Sequence, residues 1–409
     1  MGGEKTNSDH NTNVLRVYGV DFSMNNNNLV ISSNFDCIKN KIKKRIETFR
    51  RLGLSLPGKV LLVNTSINSL LYHLSSVYLP ANKLFWKELR REIFSYIWDG
   101  KREAIARSMI HTPKALGGLG LENPESKCKS IHLYHNILRP AKTTFSHQRK
   151  RLFRFYYSYQ LRKLYPEIYS NLEPHNFQLP HIYKHIDMVK HEVQEHLENI
   201  GPLVPATSQI YEWFEGEQRD VEIKLESSIV DIQSQTRDKL FKLWSEFGIS
   251  ATNKCFMWRL ALGGLKTGSF IKKYNIPGTR CECVFCGHSI ETPEHLFASC
   301  TQLRAARGHV VGYVKRFGGL RDALQSLLFC TGLAGVEMLK EFKTEIFNVV
   351  AEANKLIWSV RNDILFNKNS ENQTSKIEGL VKALISRKAR TAVESGWIYN
   401  TTESDPSVV

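Results

Sequence analysis

The residues best equipped for chemistry lie in one short stretch: Cys283 and Cys286, separated by two residues, then Gly287, His295 and Cys300. Two thiols at that spacing sit on a tight turn where their sulfurs converge, and Gly287 relieves the backbone as the turn closes. Thr292-Pro293 reads as a helix start, hydroxyl at the N-cap and proline in the first position, which puts His295 in the first turn. Five residues of ideal α-helix rotate by about 140°, so His295 and Cys300 face one ion only when the helix ends or distorts between them. It is expected to end before Cys300. Three thiolates and one imidazole favour zinc over magnesium, calcium or manganese and fill a four-coordinate shell, leaving no open position for a substrate. The expectation is one structural zinc per chain on Cys283, Cys286, His295 and Cys300, with Cys281 and His288 near enough in sequence to replace a ligand.

Catalytic constellations are missing. The 14 histidines include no H-E-x-x-H pair, and the serines show no nucleophile elbow. His175, His181, His185, His191 and His196 approach helical spacing, a pattern that suits only adventitious metal binding. A two-metal polymerase site needs clustered carboxylates. The chain has no Asp-Asp pair, and Asp21, Asp99 and Asp363 stand alone.

The elements that must position the knuckle read as helical. Val14 to Phe22 is β-branched and apolar enough for a strand, ended by the Asn run 25–28. A lone strand needs partners, either in a small local sheet or in a sheet outside this chain. Phe35, Ile38, Ile42, Ile46 and Phe49 mark one face of a helix. Its other face is basic: Lys39, Lys43, Lys44, Arg45, Arg50 and Arg51, with Glu47 the only acid between residues 37 and 59. Such single-sign faces suit phosphate contacts. Leu56-Pro57-Gly58-Lys59 reads as a turn, Val60 to Val77 as an apolar helix, and Leu84 to Trp98 as another, stopped by Asp99-Gly100. Gly117, Gly118 and Gly120 demand unusual backbone geometry or close packing. Ser234 to Leu262 is helical in pattern, as are a stretch through Val314 and a long one from about Glu337 to Leu365. Asn367 to Ser375 is a polar break, Ile377 to Val393 reads as a basic helix, and the tail beyond Gly396 is expected to be disordered.

Charge divides the middle of the chain. Residues 126–166 contain no acid and carry ten Lys or Arg, among them Arg149, Lys150, Arg151, Arg154, Arg162 and Lys163, interleaved with aromatics such as Phe153 and Tyr156. Arginines grip phosphates and aromatics stack on unpaired bases, so the mixture suits single strands or a heteroduplex. Residues 187–226 reverse the sign with ten acids against three bases and read as a linker or small acidic subdomain. Over all 409 residues the formal net charge is +16. That balance points to an anionic partner, RNA or DNA first. No apolar run reaches membrane-spanning length, the first thirteen residues lack a signal core, and clustered cysteines suit a reducing compartment, so a nuclear or cytoplasmic protein without a membrane partner is expected.

Several blocks together carry a resemblance. Leu56-Pro57-Gly58-Lys59-Val60, Phe94-Ser95-Tyr96-Ile97-Trp98-Asp99-Gly100, Pro113-Lys114 and Gly117-Gly118-Leu119-Gly120 are similar to the segment after the palm of non-LTR (LINE-type) retrotransposon reverse transcriptases. Cys283, Cys286, Glu291-Thr292, His295-Leu296-Phe297 and Cys300, with Phe256-Met257-Trp258-Arg259 before and Ile357-Trp358-Ser359-Val360-Arg361-Asn362-Asp363 after, resemble that family's zinc-binding domain. Val17-Tyr18-Gly19-Val20 is similar to its palm-exit strand, with tyrosine where leucine is usual. The resemblance covers roughly residues 14–140 and 236–366. It implies a mainly α chain: a polar terminus at 1–13, a thumb-like helical block at 14–140, a basic-aromatic segment and acidic linker at 141–235, the zinc-binding domain at 236–366 and a weakly structured tail at 367–409. It further implies that the chain is the non-catalytic C-terminal part of an RNA-directed DNA polymerase, holding template or target nucleic acid, with the element's catalytic domains as partners. The alternatives are a polymerase activity completed by a separate palm, and a transposon-derived interaction or structural protein.

Overall fold

The computed structural model describes residues 14–23, 27–80, 82–139, 189–199, 204–216, 248–276, 280–287, 289–317, 325–331, 342–367 and 373–394. The described chain is mainly helical with one two-stranded sheet, and it separates into two compact units.

The first unit comprises residues 1–54, 58–101 and 121–221. It opens with an antiparallel hairpin, β1 (Val14–Val17) and β2 (Val20–Ser23), in the register Val14↔Ser23 to Val17↔Val20. The single strand expected over Val14–Phe22 is therefore two. Tyr18 and Gly19 both adopt positive φ, 49° and 81°, the geometry of a two-residue I′ turn. Tyrosine is a rare occupant of that position, so the turn carried no Asn-Gly signal, and His73 Nε2 secures it by donating to the Tyr18 carbonyl at 3.0 Å. Asn34 clamps the hairpin to the next helix: its Oδ1 accepts from Asp21 N–H at 3.0 Å and its Nδ2 donates to Asp21 O at 2.9 Å.

That helix, α1 (Asn27–Arg50), buries Ile31, Phe35, Ile42 and Ile46. Leu56-Pro57-Gly58-Lys59 is not a turn but the start of α2 (Leu56–Leu62), because proline in a first helical turn gives up no needed N–H. Lys59 is buried. It donates to Ile97 O at 3.4 Å and pairs with Asp99, so a cation closes the end of a neighbouring helix. A π turn at Val63–Ile67 leads into α3 (Ser69–Ser75). The helix so closed is α4 (Lys83–Ile97), capped by Asn82 and stopped where Asp99 and Gly100 take φ of 53° and 69°. After α5 (Arg107–His111), which belongs to the second unit, the first unit resumes with α6 (Pro124–Leu133), α7 (Gln194–Glu198) and α8 (Thr207–Glu215).

The second unit comprises residues 55–57, 102–120 and 222–409. Among the described residues its α-helices are α5, α9 (Ala251–Ala261), α10 (Gly268–Lys273), α11 (Arg304–Val314), α12 (Gln325–Thr331), α13 (Lys343–Asn367) and α14 (Gln373–Glu394). The glycine block folds here. A Cβ on Gly118 would lie 2.0 Å from Thr112 O, and Gly117 presents its carbonyl to Trp258 Nε1–H at 2.7 Å inside the unit. Thus the two blocks Gly117-Gly118-Leu119-Gly120 and Phe256-Met257-Trp258-Arg259, far apart in sequence, share one hydrogen bond. The core gathers Met257, Leu296, Phe297, Phe329, Phe347, Val350 and Ile357. The helix expected over Ile377–Val393 is present as Gln373–Glu394, and it is more than part of a weakly structured tail, because Ile377 and Val381 are fully buried in that core. Among the described residues, no helix is long and apolar enough to cross a membrane. The terminal residues 1–13 and the tail beyond Gly396 lie outside the described residues.

Candidate metal centre

A short hairpin and one distorted helical turn build the cage. Glu282 and Ile290 form a β-bridge, Cys283 N–H donates to Ser289 O at 2.8 Å, and Gly287 N–H returns to Cys283 O at 2.8 Å. Gly287 takes φ 71°, as the closing turn requires. On the other side Thr292 Oγ1 accepts from His295 N–H at 2.9 Å, the cap that its sequence position predicts. Helix then runs to Ser299, but residues His295–Ser299 are wound as a π turn, closed by Cys300 N–H donating to His295 O at 2.7 Å. A π turn spends one extra residue per revolution, so positions five apart come round to the same side. The helix ends before Cys300, as expected, and its last turn is also distorted.

Cys283 Sγ, Cys286 Sγ, a His295 ring nitrogen and Cys300 Sγ all lie within 4.8 Å of one another. Cys283 and Cys300 sulfurs are 3.9 Å apart, and Cys286 Sγ is 3.4 Å from His295 Nε2. The edges of a tetrahedral zinc shell are about 3.8 Å between two sulfurs and about 3.6 Å between sulfur and nitrogen. The cage therefore has the dimensions and donor set of a structural zinc site. Cys283 and Cys300 are fully buried, Cys286 and His295 half-buried. A hydrogen held by Cys283 and shared with Cys300, together with burial, pushes the Cys283 thiol well above its ordinary range, while the same hydrogen holds Cys300 below it. Zinc would displace that proton and take both sulfurs as thiolates. Cys281 is not part of the cage; its carbonyl accepts from Glu291 N–H at 2.9 Å. His288 lies outside the described residues.

A buried ion pair braces the knuckle from behind. Arg361 on α13 grips Glu291, Nη2 to Oε1 at 2.6 Å and Nε to Oε1 at 3.0 Å, with both side chains nearly fully buried. The guanidinium also donates to Lys266 O at 3.2 Å and lies over the Trp358 ring at 4.7 Å. Glu291 O accepts from Ser269 N–H at 2.9 Å, and a Cβ on Gly268 would sit 1.9 Å from Cys281 O. The knuckle backbone is thus pressed onto the start of α10. Spacing along the sequence gives no hint of this pair, since 70 residues separate its members. A second buried cation, Arg307, has no partner for its Nη1; burial lowers its pKa and the neighbouring Cys300 thiolate raises it. Its charge opposes the single negative charge of a zinc with three thiolates.

The basic residues of α1 divide. Lys39 pairs with Glu88, whose carboxyl it holds below the usual range, and Arg50 meets Glu47 at 3.4 Å and Ser95 Oγ at 3.3 Å. Arg45 donates to Ser66 O at 2.6 Å, while Lys43, Lys44 and, just past the helix end, Arg51 are exposed. Arg149, Lys150, Arg151, Arg154, Arg162 and Lys163 lie outside the described residues, as do His175, His181 and His185. His196 is described and stacks on Trp213 at 5.4 Å between ring centres.

A family model described as zinc-binding in reverse transcriptase matches residues 227–306. The match contains the four cage residues and Glu291 but ends before Arg361. It supports a reverse-transcriptase-associated zinc-binding module here, a part of such proteins that is not itself catalytic.

Proposed function

We propose that this chain binds nucleic acid as the non-catalytic, C-terminal part of a LINE-type reverse transcriptase, holding template RNA or target DNA for a polymerase active site elsewhere. The observation that carries the reading is the cage: four donors at tetrahedral-edge distances inside the stretch matched as zinc-binding in reverse transcriptase. A closed Cys3His shell leaves zinc no site for substrate, so its chemistry is to lock the fold. The net charge of +16 and the exposed cations Lys43 and Lys44 on α1 and Arg51 just past its end supply what a phosphate backbone needs. The acid-free segment 126–166 belongs to the same reading on sequence grounds.

The test is the salt dependence of binding. The zinc-loaded chain is titrated into labelled RNA, DNA and hybrid duplexes, and log affinity should fall steeply with log salt concentration. Neutralising Arg149, Lys150, Arg151 and Arg154 together should lower that slope by about 3 to 4. Affinity that ignores salt would remove the reading.

One observation favours a second reading, in which the chain completes a polymerase when joined to a palm. Both faces of β1 are exposed although Val14, Leu15 and Val17 are apolar, and β1 has one strand neighbour among the described residues. Such an edge accepts a further strand. Primer extension with and without an added palm domain separates the readings, and the chain alone should be inactive.

A further inference from the structure

The paired helices α11 and α14 carry a charge pattern that neither the zinc cage nor α1 uses. α14 buries Ile377, Val381 and Leu384 and turns its other side to solvent. Arg304 at the start of α11, Arg316 in the turn just after it, and Lys376, Lys382 and Arg390 on α14 are exposed and have no acidic partner among the described residues. The acids of these two helices do little to cancel them. Glu378 faces His309 at 3.5 Å, and Glu394 stands at the C-terminal end of α14. Lys388 and Arg387 are drawn toward α13, Lys388 to Glu345 at 3.4 Å and Arg387 to Glu352 at 3.9 Å.

Two features bear on what such a face would hold. No aromatic side chain is exposed on either helix, so the face lacks the aromatic platforms on which unpaired bases stack best. Lys376 and Arg390 are separated along the helix axis by about 21 Å, the rise of roughly six base pairs along a duplex axis at about 3.4 Å each. Between the cations α11 exposes Ala305, Gly308 and Gly312, and a Cβ at either glycine would meet nothing, so no side chain stands between a backbone and the helix.

We infer that α11 and α14 form a phosphate-binding face for double-helical nucleic acid, read by charge and shape and not by base sequence. This rests on the nucleic-acid reading above and adds to it a surface beyond the stretch matched as zinc-binding. It predicts a division of labour: duplex on α11 and α14, unpaired strand on the aromatic-rich segment upstream.

The experiment uses the full zinc-loaded chain, with anisotropy titrations across salt on a mixed-sequence duplex of about 20 base pairs, roughly two turns, and on one of its strands alone. The variant Lys376→Gln/Lys382→Gln/Arg390→Gln should bind duplex at least tenfold more weakly, with the salt slope lowered by about 2 to 3. Single-strand affinity should change less than threefold. Lys376→Arg/Lys382→Arg should retain the duplex slope, and equal zinc content and melting temperature would show that the fold is intact. Salt-dependent duplex binding in the parent chain with an unchanged slope in the triple variant overturns this inference and leaves the broader reading standing. A loss seen only with single strand also overturns it. A parent chain that binds no nucleic acid overturns both.

Discussion

The zinc cage and the basic face of α1 were both legible as candidate sites in the sequence, and the fold treated them differently. All four cage residues converge, with donor distances of 3.4 and 3.9 Å across the shell. Of the six candidate cations on α1 and just past its end, Lys39 and Arg50 are held by carboxylates and Arg45 by a carbonyl, which leaves Lys43, Lys44 and Arg51 facing solvent. The difference lies in range. A turn and one helical revolution bring metal ligands together through the local chain, whereas the availability of a surface charge depends on what packs beside it.

The comparison breaks most visibly if zinc is removed. Chelation, or Cys286→Ala or His295→Ala, should abolish binding of one zinc per chain, worth about 10–16 kcal/mol in isolated zinc modules. The second unit should lose its cooperative melting transition while the first keeps its helical circular dichroism. Metal-free protein with an unchanged melt would defeat the structural role. Next in size is the brace behind the knuckle. Glu291→Gln or Arg361→Met alone leaves one buried charge unpaired and should destabilise the second unit by about 3–5 kcal/mol. The double variant should cost less than the two singles added together, as read by chemical denaturation in a double-mutant cycle.

Gly118→Ala should cost about 1–3 kcal/mol, because its Cβ would meet Thr112 O at 2.0 Å and the loop that holds Trp258 must shift. A quench or shift of tryptophan fluorescence alongside the stability loss would tie the effect to that loop. The smallest effects sharpen the other half of the comparison. Lys43→Gln/Lys44→Gln/Arg51→Gln should lower the salt slope of nucleic-acid binding by about 2 to 3 without changing zinc content. Lys39→Gln should leave the slope alone and cost about 1 kcal/mol or less, since its partner is Glu88 at a half-exposed site. A slope equally sensitive to Lys39 would mean that its ion pair opens for phosphate.

What the sequence determined by itself is what short-range geometry controls. Cys283 and Cys286 share a turn, Thr292 caps the helix that carries His295, Asp99-Gly100 ends α4, and the period of Phe35, Ile42 and Ile46 places the buried side of α1. The sequence pattern missed the Tyr18-Gly19 turn, because an aromatic in a left-handed position depends on a partner, here His73, reaching it from 55 residues away. It also took Leu56-Pro57-Gly58-Lys59 for a turn, although proline and glycine are tolerated where a helix is only beginning. Tertiary structure alone decided the rest. It joined Glu291 to Arg361 and Gly117 to Trp258, gathered the buried side of α14 into the core, and sorted surface cations into paired and available. Each of these depends on groups tens of residues apart meeting in a water-poor interior, where an unpaired charge or donor is costly and a partner is selected by packing.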